Sequence, residues 1–254
     1  MKKSGLLLSS LLLILTISFP VFAEESSNLS DSMNTESSAS ATDENKSKDE
    51  WAEIIALFAK SAKSINEFYI TEGTVTVGTE EEELKPGLYD IEILSGNGYV
   101  RAKRNLNLKA LHGSWNVAAP GSNKTTPSKV RLILEKTDQL EFNNISKVKF
   151  TAVPEKVEQT NELSIGEFFV NRDIKAGKYK LSTNLNLNPS FKTLGWEIEV
   201  YDVKTNKRYS QKLNPENNDL VLNLKSNQTI TIKLHNTDTN TNADDARLIF
   251  TPVN

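Results

Sequence analysis

The residues best suited to chemistry are scarce in this chain. The 254-residue sequence contains two histidines, His112 and His235, and no cysteine. A hydrolase needs a nucleophile beside a base and an orienting group, and neither histidine stands in a pattern that supplies them. Paired carboxylates could hydrolyse a glycosidic bond, but no spacing singles out such a pair. The sequence therefore predicts a protein that is not an enzyme and has no cofactor.

Aromatic residues are the first candidates for ligand binding. Trp115 and His112 lie in residues 105–129, where glycines and prolines interrupt the surrounding alternation and predict a long loop. Together with Tyr99 they are predicted to contact a ligand such as a glycan. The alternative for Trp115 is that its ring closes the end of a β-domain.

Basic residues next to these aromatics are the second candidates. Arg101 and Lys103 fall on one face of a predicted strand, and with Arg104 they predict a positive patch for an anionic cell-wall polymer or a sulfated glycan. The alternative is a solvated strand face balanced by the acids of residues 80–83. Residues 51–254 carry 25 acids and 26 bases, a near neutrality that argues against nucleic-acid binding.

Oxygen-bearing side chains occupy alternate positions over residues 238–244, as in a calcium loop. However, Ala243 stands where an EF-hand loop requires glycine, and Ile249 stands where it requires a bidentate acid. We therefore predict a polar hairpin insertion and no metal.

The N-terminal residues predict export. Residues 1–23 combine two lysines, an apolar run and the ending Val21-Phe22-Ala23, which is typical of a signal peptide cleaved after Ala23. The apolar run is short for a membrane span of about 20 residues, so no stable span is expected after cleavage. The mature protein is predicted to be secreted and extracellular, with association with the cell wall as an alternative.

An acidic leader and one helix follow the signal peptide. Residues 24–48 are rich in serine and acids and predict a disordered leader. Residues 49–68 begin near a capping-box spacing and place Trp51, Phe58 and Phe68 on one helical face. A helix that packs on the first β-domain is favoured over one that engages a membrane surface or a protein partner, because its polar face holds too few lysines.

The remaining chain predicts mainly β structure in two parts, residues 69–154 and residues 162–254. Short alternating segments separated by turn residues are typical of a sandwich or barrel. Residues 84–89 and residues 174–179 share the pattern Leu/Ile-Lys-x-Gly-x-Tyr, ninety positions apart. We predict two tandem antiparallel β-sandwich modules of jelly-roll or Ig-like type.

These repeated motifs carry a resemblance to a known group of proteins. Besides the shared Gly-x-Tyr pattern, the features that carry it are Val77-Gly78 and Ile165-Gly166, Gly98-Tyr99 and Gly195-Trp196, and the closing Phe250-Thr251-Pro252-Val253. The chain resembles exported tandem β-repeat proteins of low-GC Gram-positive bacteria, a family without an assigned function, over about residues 74–254. The resemblance implies a secreted β-sandwich-like module and transfers no catalytic residue.

The combined prediction is a secreted, non-catalytic binding protein that acts at the bacterial cell envelope or on an extracellular polymer or glycan. The alternative is an extracellular accessory protein that engages a protein partner through its helix. A hydrolase is the least supported interpretation.

Overall fold

The computed structural model describes residues 50–78, 80, 83–104, 113–235 and 242–253. The predicted signal peptide with its cleavage site at Ala23, the acidic leader and His112 lie outside these residues. Within the described part, no helix has the length and apolar character needed to cross a bilayer.

The described residues are mainly β, with one α-helix, as the alternation predicts. The elements are α1 Glu50–Ser61, β1 Ile65–Tyr69, β2 Thr74–Thr76, β3 Gly87–Lys103, β4 Gly113–Ala118, β5 Lys129–Leu134, β6 Gln139–Ala152, β7 Glu162–Leu163, β8 Gly166–Phe169, β9 Gly177–Thr183, β10 Trp196–Asp202, β11 Lys207–Leu213, β12 Val221–Leu224, β13 Gln228–Leu234, the short 3-10 helix Ala243–Asp245, and β14 Leu248–Pro252.

The predicted helix over residues 49–68 is wrong at its C-terminal end. The helix ends at Ser61, and Ile65–Tyr69 forms a strand that pairs with β6. The Phe68 ring packs edge-on against Phe150, with centroids 5.6 Å apart. Apolar residues at positions 65 and 68 fit a helical spacing, but pairing with the distant strand β6 decides their conformation.

The strands form two sheets. The larger has the order β1-β6-β3-β5-β8-β13-β10-β11, with β2 on β6 and β4 on β3, and the smaller has the order β12-β9-β14-β7. We call residues 50–154 the first half and residues 162–253 the second half. The two halves share the larger sheet, where β5 and β8 pair in parallel at Arg131 and Gly166.

Gly166 permits this junction between the halves. Its φ is +134°, a conformation that favours glycine. A Cβ at this position would lie 2.4 Å from the carbonyl oxygen of Arg131. The close approach of β8 to β5 therefore requires the absence of a side chain at residue 166.

The two halves repeat their strand registers ninety positions apart. Tyr89 on β3 lies opposite Leu132 on β5, and Tyr179 on β9 lies opposite Leu222 on β12. The halves differ in continuity: β3 runs unbroken along β6 through register shifts, whereas β9 and β10 are separate strands in different sheets. Residues 184–195 separate those two strands and allow the change of sheet.

Two apolar cores stabilise this arrangement. The large core draws buried residues from both sheets and both halves, for example Ile91, Ile230 and Phe250. The small core lies under α1 and consists of Trp51, Phe58, Leu88, Ile133, Val153, Phe169 and Tyr201. Successive residues of a strand face opposite sides of a sheet, so Leu88 enters the small core while its neighbour Tyr89 enters the large one.

Candidate functional site

Trp115 was predicted to contact a ligand from a loop, and this prediction is wrong. Trp115 lies in β4, which pairs with β3, and its side chain is only 2% exposed. Its indole Nε1 donates a hydrogen bond to the backbone oxygen of Ile232 on β13, at 2.9 Å. The ring therefore fixes the first half to the second. Buried Gly113, Trp115 and Val117 alternate with Ser114 and Asn116, a period-two signal in the part of the chain that was predicted to be a loop.

Arg104 was predicted to belong to a surface patch, and it is buried instead. Its guanidinium contacts Glu167 at 2.6 Å and Asp138 at 3.2 Å. Burial raises the pKa of the Glu167 carboxyl; Arg104 and the backbone N–H of Ile133 oppose this shift, and the net pKa remains raised. Since both charges are buried, losing either partner would leave the other uncompensated. Arg104 therefore links the two halves and is not available to a ligand.

Of the predicted basic patch, Arg101 and Lys103 remain exposed on β3. Both approach the same carboxylate, Glu141 on β6, at 3.5 and 3.2 Å. The Arg101 guanidinium also lies 5.3 Å from the centre of the Tyr99 ring. Because Arg101 and Lys103 share one acid, and Arg101 also lies over a ring, they form a smaller positive patch than the sequence predicted.

A second charged cluster lies at the junction of the halves. Arg131 donates two hydrogen bonds to the Asp90 carboxylate, at 2.7 and 2.9 Å, and one to Asp173 at 3.0 Å. Arg172 also contacts Asp173, at 2.6 Å. Burial raises the pKa of Asp173, and Arg172 opposes the shift without reversing it. The two arginines and two aspartates of this cluster compensate one another's charges, which favours a structural role for them.

A further candidate site lies at the C-terminal end of α1. The Ser61 hydroxyl donates to the backbone oxygen of Pro86 at 2.7 Å, and the backbone N–H of Lys63 donates to the Tyr89 hydroxyl at 3.1 Å. A Cβ on Gly87 would lie 2.5 Å from the Cβ of Ala62. Because Gly87 has no side chain, the C-terminal end of α1 packs directly against the turn that precedes Tyr89.

Beside this contact lies an open groove of about 670 Å³, which we call the α1 groove. Its lining residues are Ile54, Leu57, Phe58, Lys60, Ser61, Lys63, Lys85, Pro86, Glu135 and Lys136. Leu57 is 62% exposed although it is a large apolar residue. The α1 groove thus combines an apolar floor with four lysines and one glutamate.

The four lysines of the α1 groove differ in their contacts. Lys60, Lys63 and Lys136 form no ion pair with any residue that the structure describes. Lys85 donates a hydrogen bond to the backbone oxygen of Glu80. A concave surface with an excess of one sign of charge attracts ligands of the opposite sign.

The sequence placed a helix here but did not predict the α1 groove. Lys85 and Lys136 are far from α1 in the sequence, and folding of β3, β5 and β6 brings them beside it. One feature of the sequence could have indicated an exposed apolar residue here. Leu57 lies one residue before the buried Phe58 and three before Lys60, which places it at the edge of the apolar face of the helix.

A smaller cleft of about 330 Å³ lies between the end of β5 and the 3-10 helix, lined in part by Glu92, Lys129 and Asp244. Asp244 Oδ1 accepts a hydrogen bond from the backbone N–H of Ser128 at 2.5 Å. Residues 238–241 of the predicted hairpin insertion lie outside the described part. Among the described residues, no group of three or more His, Asp or Glu side chains could hold a metal ion.

The sequence matches no protein-family model, and it matches neither a curated protein nor a solved structure. The site geometry is therefore the basis for a proposal about function.

Proposed function

We propose that this chain is a secreted, non-catalytic binding protein that acts at the bacterial cell envelope, and that the α1 groove is its binding surface. The observation that carries the proposal is the exposed Leu57 beside Lys60, Lys63 and Lys136, three lysines that form no ion pair with any residue the structure describes. An apolar surface left open beside a few charged groups is typical of a binding site. The volume of the groove lies within the range of about 300–1,000 Å³ common for ligand sites.

The proposed scaffold is a pair of related β-sandwich modules over residues 69–154 and residues 162–254. The strand registers that recur ninety positions apart support this relationship. Trp115, Arg104 and Arg131 bond across the two modules. A scaffold fixed in this way would hold α1 in one orientation.

The proposed location follows from the signal-peptide pattern of residues 1–23. The α1 groove begins a few residues after the leader, on the first element of the described part. Its positive charge suits the anionic polymers and lipids of an envelope.

The test is a binding assay with the mature chain, residues 24–254, on envelope fractions of a Gram-positive bacterium. Three proteins are compared: the wild type, the variant Leu57→Ser, and the control Arg101→Gln/Lys103→Gln. We expect sedimentation of the wild type and of the control, and loss of sedimentation for Leu57→Ser. Protease treatment of the envelope then separates a protein partner from a polymer or lipid.

Two results would contradict the proposal. The first is no binding of the wild type to any envelope fraction. The second is binding that Leu57→Ser leaves unchanged and Arg101→Gln/Lys103→Gln abolishes, since this would assign recognition to β3.

A further inference from the structure

We infer that the α1 groove binds an anionic amphiphile with a single hydrocarbon chain. The chain would lie on the apolar floor, and the anionic headgroup would lie among the lysines of the rim. This inference rests on the proposed function and names the chemistry of its ligand.

The apolar floor favours a ligand with a hydrocarbon part. Ile54, Leu57, Phe58 and Pro86 all line the α1 groove. A purely ionic polymer would leave the exposed Leu57 side chain without an apolar contact. A hydrocarbon chain would remove it from water, and burial of apolar surface favours binding.

The rim favours an anionic headgroup. Lys60 lies in the last turn of α1, Lys63 follows the helix, and Lys136 lies in the turn between β5 and β6. Three elements thus contribute cations around one apolar floor, with Glu135 as the one acid of the lining. A phosphate or carboxylate group accepts hydrogen bonds from lysine ammonium groups.

The exposed ring of Tyr69, also on the first half, has no unpaired cation beside it within the described part of the chain. Tyr69 is exposed, but the Lys147 ammonium lies 5.5 Å from the centre of its ring and also contacts Glu67 at 3.2 Å. An aromatic residue whose neighbouring cation is already paired does not offer a free headgroup site. Tyr69 and Lys147 therefore supply a matched control.

The experiment is isothermal titration calorimetry of residues 24–254 with three probes, the two lipids being kept below their critical micelle concentrations. Lysophosphatidylglycerol has a chain and a negative headgroup, lysophosphatidylcholine has a chain and a zwitterionic headgroup, and glycerol phosphate has the charge without the chain. We expect saturable binding of the first, about tenfold weaker binding of the second, and no detectable binding of the third.

Variants locate the site. Leu57→Ser is expected to weaken lysophosphatidylglycerol binding about tenfold, and the triple variant Lys60→Gln/Lys63→Gln/Lys136→Gln by about tenfold or more. The control Tyr69→Ser/Lys147→Gln should bind within about twofold of the wild type. All substituted side chains in the α1 groove variants come from its surface, and circular dichroism checks that each variant folds.

The inference is overturned if glycerol phosphate binds as well as lysophosphatidylglycerol, because the chain would then contribute nothing. It is also overturned if lysophosphatidylglycerol does not bind, or if the control weakens its binding as much as Leu57→Ser does. If the lipid fails to bind while envelope binding still requires Leu57, the proposed function stands and only the ligand class is wrong.

Discussion

Two tyrosine turns, one in each half, have the same internal contacts and different neighbours. The Tyr89 hydroxyl donates to the backbone oxygen of Lys85 at 3.0 Å, and the Tyr179 hydroxyl donates to that of Lys175 at 2.8 Å. Only Tyr89 also accepts a hydrogen bond from the backbone N–H of Lys63, at the end of α1, within the described structure. The difference between the halves therefore lies in what covers the turn.

The outward-facing residues explain why α1 covers the first half. Leu88 and Ile133 are buried in the small core under the helix. Ninety positions later, Lys178 and Asn223 are exposed. Their inward-facing neighbours, Tyr89 and Tyr179, are buried in the large core in both halves, so the halves differ here in the outward-facing residues. The α1 groove lies where the outer face is apolar enough to hold a helix.

The substitution Leu88→Lys breaks this comparison most strongly. It places at position 88 the residue that position 178 already has, and it buries an unpaired charge under α1. We expect the free energy of unfolding to fall by about 4 kcal/mol, measured by urea denaturation. The matched control Lys178→Leu should change it by no more than about 0.5 kcal/mol. Equal losses in the two variants would contradict the difference between the outer faces.

Gly166→Ala tests the junction through which the two halves share a sheet. The added Cβ would clash with the Arg131 backbone at a positive φ, so we expect a loss of about 3 kcal/mol. Gly121→Ala also has a positive φ, but a Cβ there meets nothing within 4 Å, and it should cost less. If Gly166→Ala unfolds at the wild-type midpoint, the halves do not depend on this junction.

Trp115→Phe sharpens the comparison between contacts within and across the halves. It removes the hydrogen bond to Ile232 on the second half, and we expect a loss of about 1–2 kcal/mol, measured by thermal unfolding. Acrylamide quenching provides an independent check, because Trp51, Trp115 and Trp196 are all at most 2% exposed. Strong quenching of native fluorescence would show that at least one of these tryptophans is exposed, which would contradict the burial described here.

The smallest expected effect concerns Glu197, on the outer face of β10. Burial raises the pKa of this carboxyl, but Lys233, Lys212 and His235 lower it by more, and the net pKa is lowered. A depressed folded pKa gives stability that is present above the unfolded pKa and is lost as pH falls through the folded pKa. Unfolding measured from about pH 6 to about pH 3 should therefore show a steeper decline in the wild type than in Glu197→Gln. An identical decline in both would show that ion pairs do not stabilise this outer face.

The sequence was sufficient for features that depend on local periodicity. Alternation identified the β class, and Trp196 is buried in one of the alternating strands, β10. The spacing of ninety positions between the tyrosine turns corresponds to an equal spacing in strand register. These features follow from side chains that alternate across a sheet, which requires no knowledge of distant contacts.

The features that sequence reasoning missed depend on distant contacts. Residues 65–69 form a strand because β6 offers an edge, and Arg104 is buried because Glu167 reaches it from the other half. The α1 groove combines a helix with Lys85 and Lys136, which come from separate turns. No local pattern reports which cations will be paired and which will surround an apolar floor.

Hydrogen–deuterium exchange of residues 24–254, with and without a solubilised envelope extract, tests the central claim most directly. If the α1 groove is the binding surface, the extract should slow exchange over residues 54–63 and at the turn containing Lys136, while residues 99–103 exchange as before. Protection confined to residues 99–103, with none in α1, would contradict the account and assign binding to the β3 surface.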